Sequence, residues 1–124
     1  MRPDKFTAKM QEALNASLDL ASKRNHSEIS NEHFLLALLR QPEGLVRPLL
    51  ERLGMQPAEL ERQLESELSR RASVRGGTSP NLGADLRRTI DAGEGEMAKL
   101  KDEYLSAEHF LLALLESGSP GAKL

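Results

Sequence analysis

The chain of 124 residues has no cysteine and no tryptophan, and its aromatics, three Phe and one Tyr, make up 3% of positions. Without cysteine there is no disulfide and no thiolate chemistry, which suits a reducing compartment. With so few rings, the core has to be assembled from Leu, Ala, Ile and Met, and the stacking platforms that hold single-stranded nucleic acid are missing. Neither sign of charge dominates: 17 Lys and Arg stand against 19 Asp and Glu, a formal net charge of −2. The densest basic cluster, Arg70, Arg71 and Arg75, is diluted by Glu65 and Glu67, so there is no basic stripe for a polyanion. No apolar run reaches the ~18 residues that suggest a membrane span, and no signal-type hydrophobic region follows Met1. The composition therefore points to a cytoplasmic protein with neither a nucleic-acid nor a membrane partner.

What the chain does contain is a repeat. Ile29-Ser30-Asn31-Glu32-His33-Phe34-Leu35-Leu36-Ala37-Leu38-Leu39-Arg40 returns as Leu105-Ser106-Ala107-Glu108-His109-Phe110-Leu111-Leu112-Ala113-Leu114-Leu115-Glu116, nine of twelve positions identical at an offset of 76. The same offset lays Ala8 on Ala84, Met10 on Leu86, Leu14 on Ile90, Ala16 on Ala92 and Lys23 on Lys99. One duplicated helical unit spans nearly the whole chain.

Helical spacing starts early. Phe6, Met10, Ala13, Leu14, Ser17, Leu18 and Ala21 line one face of a helix expected from about Asp4 to Arg24, with Asp4 as its N-cap. A turn at 24–27 leads to Ser30, which caps a second helix from Asn31 to about Arg40; apolar on every side, it is expected to be buried all round. Pro42, Glu43 and Gly44 break the chain before a third helix near 45–52, where Pro48 falls in the first turn. Gly54 ends that helix and Pro57 opens a fourth, with Leu60, Leu64 and Leu68 as its buried stripe and Glu67, Arg70 and Arg71 on its solvated face. Residues 72–79 read as a linker between repeat one, about 4–71, and repeat two, 80–124. In repeat two, Leu82, Leu86, Ile90, Met97, Leu100 and Tyr104 trace the matching long helix. Gly93 and Gly95 interrupt it, marking a weak point or a close approach by another helix. Ser106 caps the second copy of the short helix. The chain stops at Leu124, the counterpart of Pro48, so the second unit is expected to be a truncated one.

Catalytic readings fare poorly. His33 and His109 each sit beside a Glu, but helical neighbours point about 100° apart, so one such pair cannot supply two ligands on one face. Neither copy reads His-Glu-x-x-His, and His26 is the only other imidazole, so a structural role and no metal site is expected. Gly93-Glu94-Gly95 lacks the Gly-Lys-Ser/Thr ending of a phosphate loop, and Glu94 repels phosphate, so no nucleotide site is expected here. Instead, two pseudo-symmetric units that meet at a seam are expected to leave a shallow groove. Phe6, Ala13, Leu86 and Ile90 are candidates for its floor. An apolar groove rimmed by carboxylates would hold unfolded, hydrophobic or basic segments weakly.

Phe6-Thr7 near the start, the paired Ser-x-Glu-His-Phe-Leu-Leu-Ala-Leu-Leu segments, and Leu45-Val46-x-Pro48-Leu49-Leu50 followed by Leu53-Gly54 resemble the N-terminal domain of the Clp/Hsp100 AAA+ unfoldases. The opening Lys5-Phe6-Thr7-x-Lys9-x-Gln11-Glu12-Ala13-Leu14 is similar to the ClpB disaggregase branch in particular. The resemblance implies an all-α, pseudo-twofold double Clp-N repeat of four-helix units, itself non-catalytic. It further implies a hexameric parent whose AAA+ rings use ATP and Mg to thread polypeptide, whereas this part binds no cofactor. The partners so implied are unfolded or aggregated polypeptide, the parent's own rings, and a co-chaperone or adaptor. The alternative is the adaptor-docking domain of a protease regulatory ATPase of the ClpC or ClpA type. Matched to the family's substrate-binding residues are Thr7, Asp102 and Glu108. Gly93 and Gly95 depart from the family's helix, and His109 stands where many relatives carry Leu.

Overall fold

The computed structural model describes residues 5–71, 73 and 79–117. Among them are six helices: α1 (Ala8–Lys23), α2 (Asn31–Leu39), α3 (Val46–Arg52), α4 (Pro57–Ser69), α5 (Ala84–Lys99) and α6 (Ala107–Ser117). Two two-residue strands, β1 (Glu28–Ile29) and β2 (Asn81–Leu82), pair in parallel. The fold is all-α, as expected. Most of the linker at 72–79 and the proposed Asp4 cap lie outside the described residues. α1 is capped by Thr7, whose side chain accepts from Met10 N at 3.2 Å, satisfying one free amide of the first turn.

The repeat is carried into space as a pseudo-twofold. Phe6 bridges Leu105 while Leu82 pairs with Ile29, and the offset of 76 exchanges the two pairs. Their hydrogen bonds match: Thr7 N donates to Leu105 O at 2.9 Å, and Gly83 N to Ile29 O at 2.8 Å. Each pairing joins the residues before the long helix of one repeat to those before the short helix of the other. Phe34 and Phe110, equivalent residues, meet with ring centroids 4.8 Å apart. A position that touches its own equivalent lies on the pseudo-axis.

All nine residues of α2 are buried, packed between α1 on one side and α3 and α4 on the other. Gly54, at φ 84°, ends α3, and Leu60, Leu64 and Leu68 of α4 face inward. α6 packs on α5 as α2 does on α1, but it is not covered all round: Leu112 and Leu115 are exposed, where their equivalents Leu36 and Leu39 are buried. α5 is shorter than expected. It stops at Lys99, Lys101 takes φ 57°, and Leu100 and Tyr104 are solvent-exposed rather than part of a buried stripe. Gly93 marks a close approach, since a Cβ there would meet Leu105 Cδ1 at 3.2 Å and His109 O at 3.5 Å. Gly95 has nothing within 4 Å of that position.

Arg71 also departs from expectation. It turns inward from the end of α4, its Nη1 2.5 Å from Ser30 Oγ and its Nη2 bonded to the Glu32 carboxylate. Glu32 is buried at the start of α2, and a carboxylate removed from water needs such a cation.

Candidate functional site

Thr7 stands at the corner where the entry to α1 meets the segment before α6, a segment that Asp102 precedes and Glu108 follows. The Phe6–Leu105 bridge sets it: Leu105 N donates to Lys5 O at 2.6 Å and Thr7 N to Leu105 O at 2.9 Å. Thr7 is half-buried, its hydroxyl oxygen capping α1 with the hydroxyl hydrogen left to donate. Glu108 is exposed in the first turn of α6, where the helix dipole favours an anion.

Asp102 is placed by the way α5 ends. Lys101 adopts the left-handed conformation, Lys101 N donates to Ala98 O at 3.1 Å, and Asp102 N to Met97 O at 3.0 Å, the pair of bonds that closes a helix C-terminus in a Schellman motif. α1 ends the same way, with Asn25 at φ 56°, Asn25 N on Ser22 O at 3.1 Å and His26 N on Ala21 O at 2.9 Å. The offset of 76 makes His26 the counterpart of Asp102.

Both carry the same contact. His109 Nδ1 accepts from Ser106 N at 2.9 Å, so its proton sits on Nε2 and is donated to Asp102 Oδ2 at 2.8 Å. His33 Nδ1 accepts from Ser30 N at 2.9 Å and its Nε2 donates to His26 Nδ1 at 2.8 Å. The two histidines thus close the N-termini of α2 and α6, a structural use. Burial holds His33 far below the usual histidine range, at about 3, with His26, Arg71 and Arg24 adding to the effect. Burial, then Arg71 and Arg24, lowers His26 as well.

The two repeats differ in their third member. In repeat one, Arg71 occupies Ser30 and Glu32; at the equivalent Ser106 and Glu108, no described residue supplies a cation, and Asp102 adds a second carboxylate. The arrangement can hold a basic side chain or donate and accept hydrogen bonds with an extended backbone. No group of three or more metal-ligating side chains occurs among the described residues.

Phe6, Ala13, Leu86 and Ile90 do not form a groove floor. Phe6 is 3% exposed and the other three 0%. The inward faces of α1 and α5 pack on α2 and α6, whose Phe34 and Phe110 close the seam, so these four are core. An apolar hollow of about 240 Å³ lies elsewhere, between α3 and α6, bordered by Leu49, Leu53, Met55, Leu111, Leu112 and Leu115 among others. Sequence reading missed it, because the leucines of α6 are identical to those of α2 and periodicity does not separate a covered copy from an open one.

Residues 5–124 match the Clp repeat (R) N-terminal domain family. The chain is 39% identical over 116 residues to a chaperone protein ClpB of Nitratidesulfovibrio vulgaris, covering 90% of this chain and 13% of that protein. It is 37% identical over 119 residues to ClpB of Mycobacterium bovis, covering 95% and 14%. The chain therefore spans only a small part of the curated relatives' length. Among solved structures, the N-terminal domain of the ClpV1 ATPase from E. coli superposes with a TM-score of 0.83 at 26% identity, covering 92% of this chain and 69% of that one. The Hsp104 N-terminal domain of Candida albicans superposes at 0.81 and 24% identity, covering 90% and 74%. A ClpV N-domain solved in complex with a VipB peptide superposes at 0.76 and 24% identity, covering 92% and 69%.

Proposed function

The chain belongs to the Clp repeat N-terminal domain family, and from that premise we propose that it is the non-catalytic, polypeptide-engaging domain of a ClpB-type ATP-dependent disaggregase. What supports this reading is the Phe6–Leu105 bridge, which joins Thr7 to the segment that Asp102 and Glu108 flank, with both carboxylates exposed. Likeness to ClpB N-terminal regions supports the parent assignment, and the peptide complex of a ClpV N-domain supports peptide engagement by this fold.

Repeat one supplies the chemical analogy. There Ser30 and Glu32 hold the Arg71 guanidinium, so Ser106 and Glu108, helped by Asp102, suit a basic side chain from a passing segment, with Thr7 bonding the backbone beside it. Such a corner holds a polypeptide weakly and without strict sequence demands, which suits delivery to a motor that must then pull the segment away. The hexameric rings, ATP and Mg belong to the proposed parent.

The test is binding of a fluorescently labelled unfolded protein by anisotropy, with affinity in the micromolar range or weaker. Thr7→Ala, Asp102→Ala and Glu108→Ala should each weaken it while far-UV circular dichroism stays that of the parent. Wild-type affinity in all three variants would sink the assignment.

A further inference from the structure

The three phenylalanines are core residues: Phe6 is 3% exposed, Phe34 and Phe110 0%. The one tyrosine, Tyr104, is 53% exposed in the segment between α5 and α6. It directly precedes Leu105, whose N–H and C=O both turn toward the start of α1, donating to Lys5 O and accepting from Thr7 N. The equivalent of Tyr104 is Glu28, a residue of β1, and in such backbone successive residues direct their polar groups to opposite edges. Tyr104 therefore turns its own N–H and C=O away from the pairing. Neither finds a partner among the described residues.

This free edge belongs to the bridge itself. Glu28 is exposed as well, in a repeat whose four helices are all present. The two edges differ in their surroundings. Glu28 offers a carboxylate, and Glu32 beyond it is buried and holds Arg71. Tyr104 offers an aromatic ring, and the carboxylates along its segment, Asp102, Glu103 and Glu108, are all exposed.

Resting on the polypeptide-engaging reading above, we propose that a client segment lies extended along residues 102–105 and pairs with the Tyr104 N–H and C=O. The Tyr104 ring takes an apolar side chain of the segment, and the carboxylates favour basic residues to either side of it. Recognition then runs through main-chain groups that every unfolded chain carries and a folded chain has already paired. That selects unfolded over native protein without a sequence motif, and two main-chain bonds make only a weak hold.

Two peptides test it. One is Gly-Arg-Val-Thr-Val-Thr-Val-Arg-Gly; the other is the same peptide with its five central amide nitrogens methylated, which keeps the side chains and removes the donors. In NMR titrations of the 124-residue chain, the first peptide should shift the Tyr104 amide and slow its exchange with solvent, while the Glu28 amide stays unmoved. The methylated peptide should bind about tenfold more weakly. Tyr104→Ala should weaken the first peptide with circular dichroism unchanged, and Tyr104→Phe should not. Equal affinity for the two peptides, or a Tyr104 amide that does not move while peptide binds, overturns this inference and leaves binding through the Thr7, Asp102 and Glu108 side chains standing. If neither peptide binds at millimolar concentration, the function proposed above falls and this inference falls with it.

Discussion

His26 and Asp102 occupy equivalent places after α1 and α5, and each receives the Nε2 hydrogen of a helix-capping histidine at 2.8 Å. One is an imidazole and the other a carboxylate. In repeat one this leaves His33 and His26 buried together beside Arg71 and Arg24, with His33 held at about 3 and His26 lowered, each chiefly by burial.

Stability should therefore be acid-sensitive. Both histidines have lower pKa values in the fold than the ~6.5 of an unfolded chain, so the unfolded state takes up protons first as pH falls. The stabilisation is fully present above about pH 6.5 and drains away toward pH 3, at about 1.4 kcal/mol per pKa unit of difference. Calorimetry from pH 7 to 4 reads this as a falling Tm. His26→Asp, which installs the repeat-two arrangement next to Arg24 and Arg71, should flatten the decline; an unchanged slope would show that the acid response lies elsewhere.

Phe34 and Phe110 meet on the pseudo-axis, each 0% exposed. Replacing either by Ala should lower stability by about 3–5 kcal/mol. The double variant should lose less than the sum, because both deletions remove one shared contact. Chemical denaturation of the four proteins closes this cycle.

Gly93 and Gly95 should respond differently to alanine. At Gly95 the new methyl meets nothing within 4 Å, and Gly95→Ala should stabilise α5 by about 0.5–1 kcal/mol. At Gly93 the methyl presses on Leu105 Cδ1 at 3.2 Å, so the same gain in helix propensity is offset by displacing Leu105. Equal stabilisation by both would contradict the close approach of α6.

Asn31 is buried at the start of α2, and neither polar atom of its side chain finds a partner among the described residues. Its repeat-two equivalent is Ala107. Asn31→Ala should raise stability by about 1 kcal/mol, because a buried amide without hydrogen bonds is a net burden. A lower denaturation midpoint would mean the amide is paired after all.

The boundaries of α2, α3 and α4 follow from local chemistry, and so they were legible: Ser30 as a cap, Pro57 at a first turn, Gly54 at φ 84°. The failures were of a different kind. Leu100 and Tyr104 continued a helical spacing that the left-handed turn at Lys101 interrupts. The four residues assigned to a groove floor had the right periodicity for an inward face, but periodicity does not say whether that face meets water or another helix. For the corner, the resemblance supplied Thr7, Asp102 and Glu108, and nothing in their local sequence predicted that the Phe6–Leu105 bridge would join the start of α1 to the segment between Asp102 and Glu108.

By itself the sequence determined the duplication, the helical class and the apolar stripe of each helix, because these depend on spacing and on residues within a turn of one another. Only the tertiary structure decided that Phe34 faces Phe110, that Arg71 turns in to Glu32, and that Leu112 and Leu115 stay in view while Leu36 and Leu39 vanish. Those outcomes rest on contacts between residues tens of positions apart, where burial and charge pairing are settled by whichever distant segment arrives.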